Sequence, residues 1–273
     1  QLQGFADAQI SPNISVFTTF MPDHMNYYKG SMEQYFADKA NIFKYQKETD
    51  TLVIGETMQK LIKKKDVQGK LIIAKSVNVA GWQFLPPGLH NRANLACAVE
   101  AVKAFGIPEA KIRKTVKDFK GVEGRLQFLR SYKGIKIYND NNATTPEATI
   151  AGIKALSEIP GVVPQEFRGS NPRKLILICG GNDKSTPIDD LVKIAKKTCK
   201  AVVTIPGTGT DKFVEILGKG VIETRELKSA VKAALSEASR GLPAGEEGDT
   251  ILFSPAFSSF AQFNNEYERN DLF

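Results

Sequence analysis

Apolar and polar positions alternate in blocks along this chain, and the blocks predict strands and helices in turn. Short apolar runs are typical of buried strands, and longer stretches with apolar residues near helical spacing are typical of helices. In the first part of the chain, strands are predicted at residues 14–20, 51–54 and 71–74, and helices at 32–45, 58–65, 91–105 and 109–119. This alternation predicts an α/β architecture.

A short polar stretch with two glycines, Gly121 and Gly124, predicts a linker after these elements. Beyond it the alternation starts again. Strands are predicted at 135–137, 175–178, 201–205, 221–223 and 250–253, helices at 146–156, 189–198, after 205, at 227–239 and at the end, and an exposed loop at 161–173. We therefore expect the latter part of one domain over residues 1–121. A complete doubly wound domain of about five or six strands is expected over residues 122–273.

Composition and charge narrow the class of protein. A hydrophobic content of 42% and a charged content of 25% are ordinary for a globular protein. The net charge of +7 is spread over predicted helix faces without an aromatic platform, which disfavours nucleic-acid binding. No apolar run approaches the ~18 residues of a membrane span, and we do not expect the first residues to form a signal peptide. Cys97, Cys179 and Cys199 follow no metal or disulfide pattern, so we expect a cytoplasmic location.

Two polar segments follow predicted strands and carry the residues best suited to chemistry. Residues 138–149 contain Asp140, the adjacent amides Asn141 and Asn142 and the adjacent threonines Thr144 and Thr145, and residues 179–185 contain Lys184. Ligands bind at the carboxyl ends of strands in an open α/β sheet. The two segments therefore predict a site for a polar, anionic small molecule.

Glycine-rich turns follow two predicted strands but match no phosphate-binding motif. Residues 180–185 lack the spacing of a P-loop, and residues 207–210 lack the third glycine of a dinucleotide fingerprint. We interpret both as tight turns between a strand and a helix, with Lys184 able to pair with a carboxylate. Either Thr144 or Thr145 can cap the helix that follows them. No P-loop motif occurs in the 273 residues.

Four further polar residues lie at or inside predicted elements of the first part. His24 follows a strand and is either a metal ligand, an acid or base, or a surface histidine in a turn. Lys39 is either a solvated helical lysine or a partly buried amine that takes up CO2; the resulting carbamate would suit Mg²⁺. Asn91 and Asn94 share one face of a helix start and either bind a base or sugar or, for Asn91, cap the helix.

In this order, these pieces resemble the Mur ligases, and in particular the member that adds D-glutamate to UDP-N-acetylmuramoyl-L-alanine. The resemblance is carried by residues 22–26, Lys39, and residues 88–94, 124–126, 138–144, 180–185 and 252–260. It implies a partial Mur-ligase central domain, followed by a complete Rossmann-like doubly wound C-terminal domain. It also implies an ATP-dependent amide ligase that works through an acyl phosphate in peptidoglycan synthesis, and hence in cell-wall formation, cell shape and division.

The resemblance also implies roles for individual residues. The set expected to serve Mg²⁺ is His24 with a carbamylated Lys39. The set expected to reach ATP is Asn91, Asn94, Arg125 and Asp140. The set expected to hold glutamate is Thr144, Lys184, Ser259 and Phe260, with the C-terminal domain closing on ATP. Lys39, His24 and Lys184 form the implied catalytic group.

The chain departs from the family pattern in two places and in its extent. Asn142 stands where a lysine is common, and Glu266 stands where an aromatic residue is common. Lys184 is therefore expected to carry more of the anion binding, and selectivity for D- over L-glutamate stays open. The family's UDP-binding domain, phosphate loop and catalytic glutamate are expected upstream of Gln1. We therefore expect part of a longer, monomeric ligase with negligible ligation of its own.

Two other readings remain open at this point. One is a folylpolyglutamate synthase-like ligase, which the Asn139–Pro146 run and the Ser254–Ala256 ending fit less well. The other is a non-catalytic ligase-like subunit that binds a nucleotide or an amidotransferase partner, and the asparagine at position 142 supports it. A generic dinucleotide-binding module is disfavoured by the missing glycine fingerprint.

Overall fold

The computed structural model describes residues 2–157, 175–240, 249–259 and 262–273, so the loop predicted at 161–173 lies outside the described residues. The chain forms two compact units. The first comprises Gln1–Leu85 and Leu89–Lys120, and the second comprises Pro86–Gly88 and Gly121–Phe273. The roles assigned above to the two parts of the chain stay a prediction.

The first unit is built on a small parallel sheet. Its elements are α1 (Gln3–Ala8), β1 (Ile14–Phe17), α2 (Met32–Lys44), β2 (Thr51–Gly55), β3 (Lys70–Ala74), α3 (Leu89–Ala104) and α4 (Glu109–Asp118), and the strand order is β1-β2-β3. The central strand β2 is buried on both faces. Val53 packs against α3 and α4, whereas Leu52 and Ile54 pack against Phe17 and the α2 residue Phe43. Such two-sided burial is typical of a parallel sheet with helices on its faces.

The prediction of a helix at residues 58–65 is wrong. The chain instead forms two short 3₁₀ helices, Glu56–Lys60 and Lys64–Asp66, and a third at Ser76–Val79. The break comes at Lys63, whose backbone is extended and whose N–H donates to the Asp66 carboxylate at 2.9 Å. The segment buries Met58 and Ile62, which is apolar contact for one helical turn and no more.

The second unit is a six-stranded sheet with helices on both faces. Its elements are β4 (Gln127–Tyr132), β5 (Ile135–Asn139), α5 (Pro146–Leu156), β6 (Leu175–Cys179), α6 (Asp189–Thr198), β7 (Cys199–Thr204), α7 (Thr208–Leu217), β8 (Val221–Glu223), α8 (Leu227–Ser239), β9 (Thr250–Phe253) and α9 (Glu266–Leu272). The strand order is β4-β5-β9-β6-β7-β8, and every pair is parallel except β4 with β5. The predicted doubly wound α/β fold is confirmed.

Two apolar cores fix the centre of this sheet. Leu177 and Leu252 face one core with residues of α5, α6 and α7, while Ile178 and Phe253 face the other with the alanines of α8. Each such fully buried side chain contributes about 1.5–3 kcal/mol. Because β5, β9, β6 and β7 run in the same direction, their carboxyl ends meet at one edge of the sheet, as expected for a ligand site. Among the described residues, no helix has the length and apolar character needed to cross a membrane.

Candidate functional site

Three loops at this edge are hydrogen-bonded to one another. The Ala256 N–H, after β9, donates to the Ala143 carbonyl, after β5, at 2.8 Å. Asn182, after β6, and Ser258 exchange two backbone hydrogen bonds of 3.1 Å each. The loops that follow β5, β6 and β9 therefore form one connected surface, and residues far apart in sequence are held at fixed positions on it.

The close approach of these loops depends on Gly181. Its φ is +140°, and a Cβ atom there would lie 2.2 Å from the Ser258 carbonyl oxygen, which is shorter than any normal contact. The Gly181 carbonyl in turn accepts from the Gly209 N–H at 3.0 Å, at the start of α7. A glycine is therefore required where the β6 loop passes the β9 loop.

Two of the residues predicted to hold glutamate lie together on this surface. The Lys184 ammonium donates to the Thr144 hydroxyl at 3.1 Å. The hydroxyl of Thr145 caps α5 by accepting from the Ala148 N–H, which resolves the choice between the two threonines. Ser259, in the loop that follows β9, is buried. Phe260, the fourth predicted residue, lies outside the described residues.

The position that lacks the family's lysine supplies an amide instead. The Asn142 side chain donates to the Glu123 carbonyl at 3.3 Å. Glu266, which stands where an aromatic residue is common, begins α9, and its carbonyl accepts from the Asn141 amide at 2.8 Å. Both departures are therefore part of hydrogen bonding between the β5 loop and its neighbours. The ammonium that the described structure places on the Thr144 hydroxyl is that of Lys184.

Asp140 is buried and its carboxylate accepts two internal hydrogen bonds. The donors are the Leu126 N–H, at 2.9 Å, and the Ser254 hydroxyl, at 2.9 Å. Leu126 has a φ of +47°, an unusual value for a bulky residue, and the hydrogen bond that its N–H donates to the Asp140 carboxylate holds it there beside the exposed Arg125. Burial raises the pKa of the Asp140 carboxyl to about 7, although the two hydrogen bonds and the Arg125 charge lower it in part. The predicted contact of Asp140 with ATP stays a prediction.

Replacing Asp140 with asparagine is expected to remove a pH dependence from the stability of the chain. The carboxyl has a pKa of about 7 when folded and about 3.9 when unfolded. Between about pH 4 and pH 7 the folded state therefore binds more protons, so this group makes stability fall as the pH rises. Each pKa unit corresponds to about 1.4 kcal/mol, so the difference in unfolding free energy between wild type and D140N should change by as much as ~4 kcal/mol over this window. Urea unfolding at several pH values measures it, and parallel profiles would contradict the expectation.

In the first unit, His24 and Lys39 line the same cavity of about 380 Å³. Lys39 extends over the ring of Tyr35, with its ammonium 5.4 Å from the ring centroid, and the His24 ring lies 6.5 Å from the same ring. The Asp38 carboxylate, also in this cavity, accepts from the Tyr28 hydroxyl at 2.9 Å. The cavity thus brings together an imidazole, a carboxylate and an ammonium from His24, Asp38 and Lys39, which lie up to 15 residues apart in the sequence.

The donor set of this cavity bears on the predicted Mg²⁺ site. Among the described residues, no group of three histidine, cysteine, aspartate or glutamate side chains is placed to hold a metal ion. His24 Nε2 lies 3.4 Å from a carboxylate oxygen of Asp23, and Lys39 carries an ammonium, which cannot bind a cation. Mg²⁺ prefers oxygen ligands. A carbamate on Lys39 would supply such oxygens, and the metal roles of His24 and Lys39 stay predictions.

The two asparagines predicted to reach ATP lie in the first turns of α3. Asn94 is exposed and Asn91 is half-buried. Because α3 begins at Leu89, Asn91 lies inside the helix and does not cap it. Between them, Arg92 is buried and donates to the Trp82 carbonyl at 2.8 Å, which anchors this end of the helix. Sequence reasoning did not identify Arg92, since a lone arginine in a helix gives no signal of burial.

The comparisons with known proteins agree with this architecture. Residues 2–85 match the family model of the Mur ligase middle domain, and residues 124–257 match that of the Mur ligase, glutamate ligase domain. A UDP-N-acetylmuramoylalanine--D-glutamate ligase from Roseiflexus sp. is 28% identical over 100% of this chain and 62% of the relative. A ligase of the same name from Acetivibrio thermocellus is 32% identical over 96% of this chain and 59% of the relative. The chain therefore spans about 60% of the length of the curated relatives it matches.

Solved structures resemble the chain at low sequence identity. The MurF ligase from Thermotoga maritima in complex with ADP superposes with a TM-score of 0.63 at 17% identity, over 90% of this chain and 58% of that one. Mycobacterium tuberculosis folylpolyglutamate synthase, complexed with ADP and AMPPCP, gives a TM-score of 0.68 at 18% identity, over 91% and 62%. These likenesses show the fold. With the two family models covering most of its length, the chain belongs to the Mur ligase family.

Proposed function

We propose that the protein containing this chain is an ATP-dependent ligase that joins D-glutamate to UDP-N-acetylmuramoyl-L-alanine. The observation that carries the proposal is the connected surface of the second unit, where Lys184 and Thr144 are 3.1 Å apart next to the β9 loop, which contains Ser259. An ammonium and hydroxyls at the carboxyl edge of a doubly wound sheet suit an amino acid with two carboxylates. The matched relatives are named for the same substrate pair.

The chemistry of the proposed reaction uses these residues to hold the nucleophile. ATP first phosphorylates the alanyl carboxylate. The amine of glutamate then forms the C–N bond, the bond from the carbonyl carbon to phosphate breaks, phosphate leaves and the amine loses its proton. Lys184, Thr144 and Ser259, with Phe260, would orient glutamate for this attack. Such orientation makes an intermolecular step effectively unimolecular.

The remaining predicted residues would serve the phosphorylation step. Asn91 and Asn94 of the first unit, with Arg125 and Asp140 of the second, would contact ATP. His24 and a carbamylated Lys39 would hold Mg²⁺, which supplies positive charge for the transferring phosphoryl group when bound. In this proposal the first unit is the latter part of the ATP-binding domain, and the second binds glutamate and closes on ATP. The protein would act in the cytoplasm, where its nucleotide substrates are made and where its three free cysteines stay reduced.

The proposal is tested with the complete gene product that contains this sequence. It is incubated with ATP, Mg²⁺ and UDP-N-acetylmuramoyl-L-alanine, and D-glutamate, L-glutamate and D-glutamine are compared by ADP release and product mass. We expect ADP and one amide product with D-glutamate. A parallel reaction offers pteroylglutamate in place of the muramoyl substrate.

Each other outcome contradicts the proposal in a recognisable way. Extension of pteroylglutamate, with no muramoyl product, would assign the protein to the folylpolyglutamate synthases. Nucleotide binding without ADP release under any condition would assign it to the non-catalytic subunits. Equal rates with both enantiomers of glutamate would show that the pocket lacks the proposed selectivity.

A further inference from the structure

The C-terminal helix α9 places one arginine fully inside the second unit. Arg269 has an exposed fraction of 0%, and it is the largest side chain of those that are fully buried among the described residues. Arginine is rarely buried completely, because removing its charge from water is costly unless its donors are paired. The position of this residue therefore calls for an account of what its guanidinium contacts.

The guanidinium of Arg269 bonds to two of the loops that form the connected surface. Its Nε donates to the Asn141 side-chain oxygen at 2.7 Å, and its Nη2 donates to the Asn141 backbone carbonyl at 2.9 Å. Its Nη1 reaches the Phe257 carbonyl at 3.5 Å. Asn141 follows β5 and Phe257 follows β9, so the Arg269 side chain joins the two loops.

These contacts are made with neutral oxygens. No carboxylate of the described residues lies within ion-pair distance of Arg269. Burial lowers the pKa of the guanidinium to about 10, although the charge of Glu266, beyond ion-pair distance, raises it in part, so Arg269 remains a cation at neutral pH. A buried cation paired only with neutral acceptors adds little to stability on its own. The guanidinium N–H groups do, however, hold the oxygens of Asn141 and Phe257 at fixed positions.

Further hydrogen bonds tie α9 to the end of β5, to the segment before β4 and to the β5 loop. The Asn139 side chain donates to the Asn270 oxygen at 2.9 Å, and Asn270 donates to the Glu123 carboxylate at 2.8 Å. The Asn141 amide also donates to the Glu266 carbonyl at 2.8 Å. The helix therefore holds the β5 loop through Arg269 and the Glu266 carbonyl, and it holds the end of β5 through Asn270.

We propose that Arg269 is a positioning residue for the amino-acid substrate: it fixes the β5 loop that carries Thr144 and the β9 loop that carries Ser259. Asn141 lies three residues before Thr144, and Phe257 lies two residues before Ser259, so each bond of Arg269 acts within a few residues of a predicted substrate contact. This inference rests on the proposed function for its substrate. The physical claim, that the buried guanidinium of Arg269 sets the spacing of the two loops, does not depend on the proposed function.

The test separates positioning from folding. Arg269→Met removes the fork and the charge at similar volume, Arg269→Lys keeps the charge, and Asn141→Ala removes one acceptor if R269M fails to fold. Arg130→Met, on the exposed edge strand β4, is the matched control. Hydrogen exchange of the Ala143, Ala256 and Ser258 amides is measured in the chain itself. Steady-state kinetics with D-glutamate and with ATP are measured in the complete gene product.

We expect R269M, or N141A in its place, to speed exchange of these three amides by about tenfold or more, with the β6 amides unchanged. The KM for D-glutamate should rise about 10- to 100-fold while the KM for ATP stays the same. R269K should recover only part of the loss, because an ammonium cannot make the two-pronged contact. R130M should match wild type in both measurements.

Three results would overturn the inference. Unchanged exchange in the loops would show that Arg269 does not hold them. A uniform rise in exchange across the sheet, with unchanged KM for D-glutamate, would show a purely structural role. Wild-type behaviour of R269K would show that a positive charge at this position is sufficient to hold the loops and that the guanidinium geometry is not needed. If the wild-type gene product ligates no amino acid, the proposed function fails, and the exchange measurement alone decides whether Arg269 fixes the loops.

Discussion

Replacing Lys184 with methionine is expected to lower kcat/KM for D-glutamate by about 100- to 1,000-fold, which corresponds to ~2.7–4 kcal/mol. The ammonium of Lys184 lies 3.1 Å from the Thr144 hydroxyl on the surface formed by the β5, β6 and β9 loops. Methionine keeps the length and much of the apolar stem but removes the charge. Because Asn142 brings no second cation to the β5 loop, little remains to compensate for the loss of the ammonium.

The control for this change is Lys193→Met. Lys193 lies on α6 of the same unit, is 76% exposed and pairs with Asp190 one helical turn away. Its loss removes the same charge from the protein without touching the connected surface, so kcat/KM should stay within about twofold of wild type. If K184M and K193M have equal activities, Lys184 does not bind the substrate. The variants should unfold at similar urea concentrations, which excludes a folding defect as the cause.

Replacing Gly181 with alanine is expected to disrupt the same surface by a steric route. The new methyl group would lie 2.2 Å from the Ser258 carbonyl and 3.1 Å from the Phe257 side chain, and both atoms belong to the packed β9 loop. Left-handed backbone strain costs about 1–3 kcal/mol, and overpacking costs a further 1–3 kcal/mol or so. We expect both a lower free energy of unfolding and loss of the two backbone bonds between Asn182 and Ser258, with loss of most ligation.

Gly218→Ala isolates the steric part of this effect. Gly218 also has a positive φ, of +80°, but no atom lies within 4 Å of the position that a Cβ would take. Its replacement should therefore cost only the backbone strain and leave the ligation rate unchanged. Urea unfolding and the ligation assay compare the two variants. Equal losses of stability and activity in G181A and G218A would mean that the loops do not need the close approach at Gly181.

The sequence was sufficient to predict the elements whose patterns are strong. The helices that begin at Pro146 and Asp189 have the predicted bounds. The first has a capping threonine and a proline at its start, and the second has an apolar face with acidic residues in its first turn and lysines in its last. The fully buried strands β6 and β9 stand out as continuous apolar runs. These local signals favour the same elements as the tertiary packing does, so the elements could be predicted without knowledge of the packing.

Elements with little burial could not be predicted. The edge strand β4 exposes five of its six residues, and α1 buries none, so neither has an apolar period to detect. The run 58–65 has helix-forming lysines but too little apolar contact to hold one continuous helix. In each case the segment buries too few apolar side chains to give a clear pattern in the sequence.

The candidate site shows the same division. Thr144 and Lys184 were predicted because each follows a strong strand at the edge where ligands bind, and the fold brings them within hydrogen-bond distance. The buried carboxylate of Asp140 and the buried guanidinium of Arg269 could not be anticipated in the same way. Their burial results from packing against Ser254 and Asn141, which are more than 100 residues away along the chain.

The central claim, that Lys184 binds a carboxylate of the amino-acid substrate, is tested most directly by changing the lysine and the carboxylates together. The value of kcat/KM is measured for D-glutamate, D-glutamine and D-isoglutamine in the wild-type gene product and in K184M. If Lys184 binds one carboxylate, replacing that carboxylate with an amide should lower kcat/KM strongly in wild type and far less in K184M. The difference between the two effects is the coupling energy, which should be roughly 0.5–3 kcal/mol. If both amides cost the same in the two proteins, the losses are additive and Lys184 does not bind either carboxylate.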